Sequence, residues 1–217
     1  MKKILVAIAI TVLGSSAAFA ASNITGTKHN LSSGASTSQV RSNTSQICAF
    51  CHTPHNAVPN VPLWNRSQAG STYKLYTSSA TLTSATKNSS LSATSISLLC
   101  LSCHDGTLAQ LGSRVTAVPS DVSALTMTDG TVAFSAGGAN LGSDLTNDHP
   151  IGFNYATAQG QDSALRLASD AITRGAMFFN GNQMECASCH LVHDNTFAPF
   201  LRTTNVGSNL CLGCHIK

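Results

Sequence analysis

Four copies of the pattern C-x-x-C-H constrain this chain more than any other feature of its sequence. All eight cysteines belong to the pattern, as Cys48/Cys51, Cys100/Cys103, Cys186/Cys189 and Cys211/Cys214. A histidine follows each pair directly, namely His52, His104, His190 and His215. We call these segments motifs 1 to 4 in chain order. Any fold for this sequence must build the same local geometry four times.

The pattern is the attachment site of c-type haem, in which two thioether bonds fix the porphyrin and the adjacent imidazole becomes the proximal ligand of the iron. Two other interpretations of paired cysteines are weaker. Disulfides that close four three-residue loops would do little to join distant parts of the chain. A zinc site does not require a histidine directly after each cysteine pair. The sequence therefore predicts four covalently attached haem c groups.

Four histidines lie outside the motifs, one for each remaining axial position: His29, His55, His149 and His193. Two imidazoles on each iron would give six-coordinate, low-spin centres, which carry electrons and leave no position for a substrate. We therefore expect an electron carrier and not an enzyme. A multihaem reductase is the alternative, and it would need an open axial position.

The order of these signals repeats within the chain. A first half at residues 21–112 and a second half at 140–217 each contain two motifs and two further histidines, and a Ser/Thr/Gly-rich connector at 113–139 separates them. Motifs 1 and 3 also share the longer pattern C-x-x-C-H-x-x-H. We infer an internal duplication of a two-haem unit.

The N-terminus predicts export. Lys2 and Lys3 precede the apolar run ILVAIAITVL, and Ala18-Phe19-Ala20 has the spacing of a cleavage site, so residues 1–20 resemble a signal peptide. The apolar run is too short to span a bilayer. Cleavage lowers the formal charge from +3 to +1, because two lysines are removed, and no basic run suggests nucleic acid as a partner.

The composition argues against an ordinary apolar core. Aromatic residues are 6% and charged residues 10% of the chain, so little apolar area is available to offset the entropy of ordering. We predict mostly irregular coil with short α-helices and few short strands, organised around four haems that replace the missing core. Helical turns are expected at each motif, particularly at 97–104 and 208–215, and a helix at 161–173. YKLYT and TVAFS are short strand signals.

Several strings carry a resemblance to one family over nearly the whole exported chain: CHTPHNA, PLWNR, YKLYTSS, and FLR with SNLCLGCH. Together with the doubled motifs, they resemble the extracellular tetrahaem cytochromes of metal-reducing bacteria that polymerise into conductive filaments, the OmcE type. The resemblance implies coil around a continuous haem chain, head-to-tail subunits and a histidine donated across the subunit interface. It implies secretion, although a soluble periplasmic shuttle is the alternative.

The spacing of the histidines allows two ligation schemes. His55 follows His52 by three residues and cannot reach across the same porphyrin, so we expect it to ligate the second haem of its half, and the histidine at 193 to do the same in the second half. Either His29 and His149 then serve the first haem of their own halves, or each reaches back to the half before. We favour the second scheme, in which His149 completes the iron of His52 and His29 completes the iron of His190 in the adjacent subunit.

Electron donors and acceptors follow from the resemblance alone. Outer-membrane or periplasmic cytochromes are the expected donors, and an extracellular metal oxide or a partner cell is the expected acceptor.

Overall fold

The structure is a computed structural model that describes residues 24–36, 40–58, 61, 63–67, 72–129 and 138–216. The expected signal peptide at 1–20 and the TVAFS strand signal at 131–135 lie outside these residues. Most of the described chain forms turns, bends and irregular coil between short elements. The prediction of a coil-rich fold with short helices and few short strands is confirmed.

The helices are short; motifs 2, 3 and 4 each contain an α-helix, and motif 1 contains a 3₁₀ turn. In chain order they are α1 (Ser84–Lys87), α2 (Ser97–His104), α3 (Leu111–Arg114), α4 (Tyr155–Gln161), α5 (Ala168–Thr173), α6 (Cys186–Cys189) and α7 (Asn209–Cys214). Four 3₁₀ turns lie at Ile24–Gly26, Cys48–Phe50, Leu108–Gln110 and Val206–Ser208. The helical turns expected at the four motifs are therefore present, and α2 has the expected bounds.

In the part of the chain that the structure describes, six short strands form three separate two-stranded pairs. They are β1 (Arg41–Ser42), β2 (Lys74–Leu75), β3 (Met127–Asp129), β4 (Asp144–Leu145), β5 (Phe153–Asn154) and β6 (Gln183–Met184). β1 pairs with β3 and β5 with β6 in antiparallel fashion, whereas β2 and β4 are parallel. The YKLYT signal contains β2. The β2–β4 pair joins the two halves of the sequence.

The helix expected at 161–173 is wrong over its first part. α4 ends at Gln161, and a new helix begins only at Ala168. The segment between them binds the C-terminal backbone instead: Arg166 N donates to Cys214 O at 2.8 Å, and Ile216 N donates to Ala164 O at 2.7 Å. Tertiary pairing with motif 4 thus overrides a local helical propensity.

Two small apolar clusters take the place of one core. Val40, Phe50, Leu108 and Leu125 form the first, against which Cys51 and Cys103 pack. Phe153, Tyr155, Ala158, Ala171 and Met184 form the second, which contacts Cys214. Each cluster therefore adjoins cysteines of the motifs. No described helix combines the length and the apolar character that crossing a membrane requires.

Candidate functional site

Each motif folds as a tight turn that directs its cysteines and histidine to one side. The histidine amide closes the turn on the carbonyl of the first cysteine, at 2.8 Å for His52, 3.1 Å for His190 and 2.9 Å for His215. Motif 2 lies at the end of α2, which finishes at His104. Residues three and four apart in such a turn are neighbours on its surface. This local geometry presents two thiols and an imidazole together.

The cysteines are free thiols in the structure. Burial raises the pKa of Cys51 to about 12 and that of Cys189 to about 11, so both sulfurs stay protonated near neutral pH. Among the described residues, no three or more side chains of Cys, His, Asp or Glu cluster as ligands for a metal ion. Paired thiols beside an imidazole fit attachment to a porphyrin better than direct coordination of zinc.

Successive motifs meet at their cysteines. Cys51 and Cys103 pack against the same apolar cluster, which defines junction 1–2. The Cys100 and Cys186 thiols hydrogen-bond to each other at junction 2–3, and this bond and burial raise the pKa of Cys100. Cys189 lies near Cys214 at junction 3–4. The motifs are thus arranged in chain order.

Three pairs of imidazoles face each other, and each joins a motif histidine to one outside the motifs. The ring centroids are 6.1 Å apart for His29 and His104, 6.0 Å for His52 and His193, and 6.5 Å for His149 and His215. Metal–nitrogen bonds of about 2 Å and about 1.2 Å from each nitrogen to its ring centre place two imidazoles on one metal about 6.4 Å apart. The observed spacing fits paired axial ligands.

Ring hydrogen bonds orient several of these imidazoles. Nδ1 lies 2.7 Å from Ala139 O in His104, 2.9 Å from Pro150 O in His149, and 3.2 Å from Pro199 O in His190. A carbonyl at Nδ1 fixes the tautomer that leaves Nε2 free to bind a metal. The chain can therefore hold these rings in the form that ligation requires.

Burial also keeps the imidazoles neutral. It lowers the pKa of His29 to about 4, with a further contribution from the neighbouring His104, and it lowers the pKa values of His52 and His104. A neutral imidazole is the form that binds a metal.

His55 and His190 are left outside the three pairs. His55 has an exposed ring at the end of a turn in which Thr53 Oγ1 donates to the His55 carbonyl at 2.6 Å. Among the rings that the structure describes, neither histidine contacts another imidazole at ligand spacing. Each chain thus contains one motif histidine and one further histidine that do not meet.

This pairing differs from the scheme that we favoured from the sequence. The His193 ring lies beside His52, and the His149 ring lies beside His215, the histidine of motif 4. The His29 ring lies 6.1 Å from that of His104 in the same chain, measured between ring centroids.

The physical reason for the position of His29 is a contact between the halves. Phe200 stacks on the His29 ring with centroids 4.4 Å apart and planes 24° apart, which holds that ring beside motif 2. Histidine spacing alone carries no information about which distant segment folds back onto which motif.

The surroundings of the motifs also fit a large planar group. An open groove of about 430 Å³ runs along motif 1 and is lined by Cys48, His52 and Leu63 among others. Each motif has an exposed apolar side chain beside it, between 38% and 54% exposed: Leu63, Leu141, Val192 and Ile216. Exposed apolar side chains suit a porphyrin that covers them.

Buried hydrogen-bond donors that are unsatisfied among the described residues also fit the binding of a haem. Trp64 Nε1 and Arg66 Nη1 are buried and have no hydrogen-bond partner among the described residues. Buried polar groups normally have one, and carboxylates such as haem propionates are acceptors that these donors could bind.

Arg66 and Glu185 are site residues that the sequence interpretation missed. Arg66 is 0% exposed and Glu185 is 3% exposed, and each bridges two motifs. A signal for both was present, because Arg66 ends the string PLWNR and Glu185 is the sole glutamate and directly precedes Cys186.

The segments around motifs 1 and 3 have matching backbones. His52 forms a β-bridge with Trp64, and His190 forms one with Leu201. Leu63 and Phe200, which precede these partners, both have positive φ, at 64° and 58°.

The hydrogen bonds of the next position also match. Asn65 N donates to Cys51 O, and Arg202 N donates to Cys189 O, both at 2.8 Å. Their side chains donate to the carbonyl of the first residue between the cysteines, Asn65 Nδ2 to Ala49 O and Arg202 Nε to Ala187 O, both at 2.6 Å. One local structure is thus built twice.

A comparison with known protein families finds a match at the C-terminal end of the chain. Residues 180–217, which contain motifs 3 and 4, match the doubled CXXCH motif family. No curated protein matches the chain. The family match indicates a multihaem c-type cytochrome, whose covalent haem and electron-transfer function agree with the arrangement of thiols and imidazoles.

Proposed function

We propose that this chain is an exported tetrahaem c-type cytochrome that conducts electrons outside the cytoplasm as the repeating subunit of a head-to-tail filament. It would receive electrons from outer-membrane or periplasmic cytochromes and deliver them to an extracellular metal oxide or a partner cell. The observation that carries the proposal is the set of three histidine pairs at 6.0–6.5 Å.

The chain contributes attachment, ligation and insulation. Haem iron supplies reversible one-electron chemistry when bound. The two thiols of each motif would hold the haem through thioethers, and the motif histidine and its facing histidine would ligate the iron. Two imidazoles per iron leave no position for a substrate, so we propose an electron carrier and not a multihaem reductase.

The matching segments around motifs 1 and 3 support the internal duplication, and the histidine pairs follow it. His29 pairs with the second motif of the first half, and His149 pairs with the second motif of the second half. His193, in the second half, pairs with the first motif of the first half. His193 thus reaches back to the first motif of the half before its own. If His55 reaches back in the same way, its partner is His190 of the preceding subunit.

The relation between the halves favours an open polymer. A reciprocal relation would pair His55 with His190 inside the chain as well as His193 with His52, and only the latter pair lies at ligand spacing. If each half donates a histidine only to the half before it, and the same contact repeats between subunits, the subunit interface is heterologous. Such an interface produces an open filament unless the rotation between successive subunits closes a ring. The expected ligand between subunits is therefore His55, in place of His29.

A soluble periplasmic shuttle is the second candidate, because one chain already holds three complete histidine pairs. In that case the iron at His190 would keep an open position or bind water. Electron microscopy of the culture supernatant separates the two candidates, since only the first predicts filaments.

Haem content is the first test. A pyridine haemochrome assay with intact mass should give four covalent haems per chain after loss of residues 1–20. Three or fewer in fully matured protein would contradict the count.

Two matched variants test the ligand between subunits. His55→Ala should keep four haems, lose filaments and leave one iron per chain that binds carbon monoxide when reduced. His29→Ala should open the iron at His104 but keep filaments, because its pair lies within one chain. Filaments in His55→Ala with every iron low-spin would overturn the assignment. Rapid carbon monoxide binding by intact wild-type filaments would instead favour the reductase.

A further inference from the structure

We propose that two buried charges, Arg66 at junction 1–2 and Glu185 at junction 2–3, set the order of reduction potentials along the haem chain. The positive charge makes the haem of motif 1 easier to reduce, the negative charge makes the haem of motif 3 harder to reduce, and the haem of motif 2, which adjoins both charges, lies between them. The inference rests on the haem attachment proposed above, and it adds a direction to the electron path.

Arg66 connects motifs 1 and 2. Its neighbour Asn65 donates its backbone N–H to Cys51 O at 2.8 Å. The Arg66 guanidinium reaches motif 2, where Nε donates to Ser102 Oγ at 3.3 Å and Nη2 donates to Ser102 O, next to Cys103. A completely buried cation thus lies between two attachment sites.

Glu185 connects motifs 2 and 3 in the same way. Its Oε2 accepts hydrogen bonds from Ser95 Oγ at 2.6 Å, from Ser97 N at 3.2 Å and from Ser97 Oγ. Ser97 Oγ also accepts a hydrogen bond from the Cys186 amide at 3.0 Å. Three donors thus converge on one oxygen of the Glu185 carboxylate, which accepts them all.

Neither charge is neutralised by an ion pair among the described residues. The hydrogen-bond partners of Arg66 are a hydroxyl and a carbonyl, and those of Glu185 are hydroxyls and an amide. Asp105 and Arg114 lie at the half-exposed rim of junction 1–2, where their opposite charges offset each other. The net fields at the two junctions therefore have opposite sign.

These fields act on the oxidised and reduced haems unequally. Oxidation adds one positive charge at the iron, so a nearby buried cation opposes it and a nearby buried anion favours it. The effect is strong where water is excluded, as it is around both side chains. A propionate bound to Nη1 of Arg66 would not reverse the sign, because removal of the guanidinium would then leave the carboxylate unpaired.

The test is potentiometric titration of the holoprotein, followed by visible absorption. Arg66→Gln should lower the reduction potentials of the affected haems, and Glu185→Gln should raise them. Arg66→Lys and Glu185→Asp retain the charge and should stay close to wild type. Lys87→Gln and Asp170→Asn remove exposed charges and serve as controls. The proposal fails if both neutral variants shift in one direction, or if neither shift exceeds that of the controls.

A second measurement needs no variant. NMR of partly oxidised wild-type protein, with haem signals assigned, should show the haem of motif 3 oxidised before that of motif 1. The reverse order would overturn the proposal. Haem count and the His55→Ala result test the proposed function separately, because neither depends on the potentials.

Discussion

The chain around motif 1 and the chain around motif 3 share a backbone arrangement but differ in what covers them. After motif 1, Asn65 is 1% exposed, and its Oδ1 accepts hydrogen bonds from Thr116 Oγ1 at 2.9 Å and from Ala117 N at 2.7 Å. At the third, Arg202 occupies the matching position and is only half-buried. The connector thus binds the segment that follows motif 1. The comparison teaches that one haem-binding turn can be held by a buried amide at one site and by a half-buried guanidinium at another.

Asn65→Ala should have the largest effect, because it should lower the stability of the segment after motif 1. The Asn65 side chain donates to Ala49 O and Ala117 O and accepts two bonds from the connector, so its loss leaves several buried groups unsatisfied. We expect a loss of about 3 kcal/mol in the free energy of unfolding.

Arg202→Ala is the matched control for Asn65→Ala. It removes one side-chain bond at a wetter position and should cost about 1 kcal/mol. Denaturant unfolding followed by circular dichroism measures both variants. Equal losses would show that the connector does not distinguish the two segments.

Phe200→Ala should have an intermediate effect. It removes the ring that stacks on His29, which we expect to cost about 1 kcal/mol beyond the lost packing. Because His29 then loses its support opposite His104, a fraction of one iron should become high-spin.

Leu63→Ala provides the comparison for Phe200→Ala, since Leu63 has the matching backbone position with a positive φ and lines the groove beside His52. Electron paramagnetic resonance should show the high-spin signal in Phe200→Ala alone. The same signal in both variants would mean that the turn, and not the stacked ring, positions His29.

Acidification should have the smallest effect, and it should weaken the contact between the connector and the segment before motif 1. Asp121 accepts hydrogen bonds from Thr44 Oγ1 at 2.5 Å and from Ser45 N and Oγ, both at 2.7 Å, which lowers its pKa from 3.8 to about 2. This folded-state pKa lies below the unfolded value. The stabilisation is therefore complete above pH 3.8 and is lost as the pH falls through about 2.

Pepsin can measure this loss as the rate of cleavage in the connector. Wild type should be cleaved more slowly than Asp121→Asn at pH 4, and the two rates should converge at pH 2. Asp144→Asn should behave as wild type, because Asp144 bonds to Thr146 and Lys74 and not to the segment before motif 1. A constant difference between wild type and Asp121→Asn at both pH values would contradict the assignment.

The sequence predicted the features that depend on local spacing. The motif turns, the helix at 97–104 and the coil-rich fold follow from short-range pattern and composition, and the structure contains all three. The choice of partners depended on long-range packing. Phe200 on His29, and the pairing of 164–166 with the C-terminus, have no counterpart in the periodicity of the chain. The same holds for Arg66 and Glu185, whose burial arises from segments far away in sequence.

The His52–His193 pair has a consequence for maturation. Its members are 141 residues apart, from 193 minus 52, so motif 1 lies opposite a histidine from the last quarter of the chain. Under the proposed ligation, a chain that stalls during translocation retains an open iron at motif 1, however well its early motifs have matured. If the chain is exported as proposed, complete passage through the membrane would close the first centre, and an unfinished polypeptide would remain marked by a reactive, incompletely ligated haem.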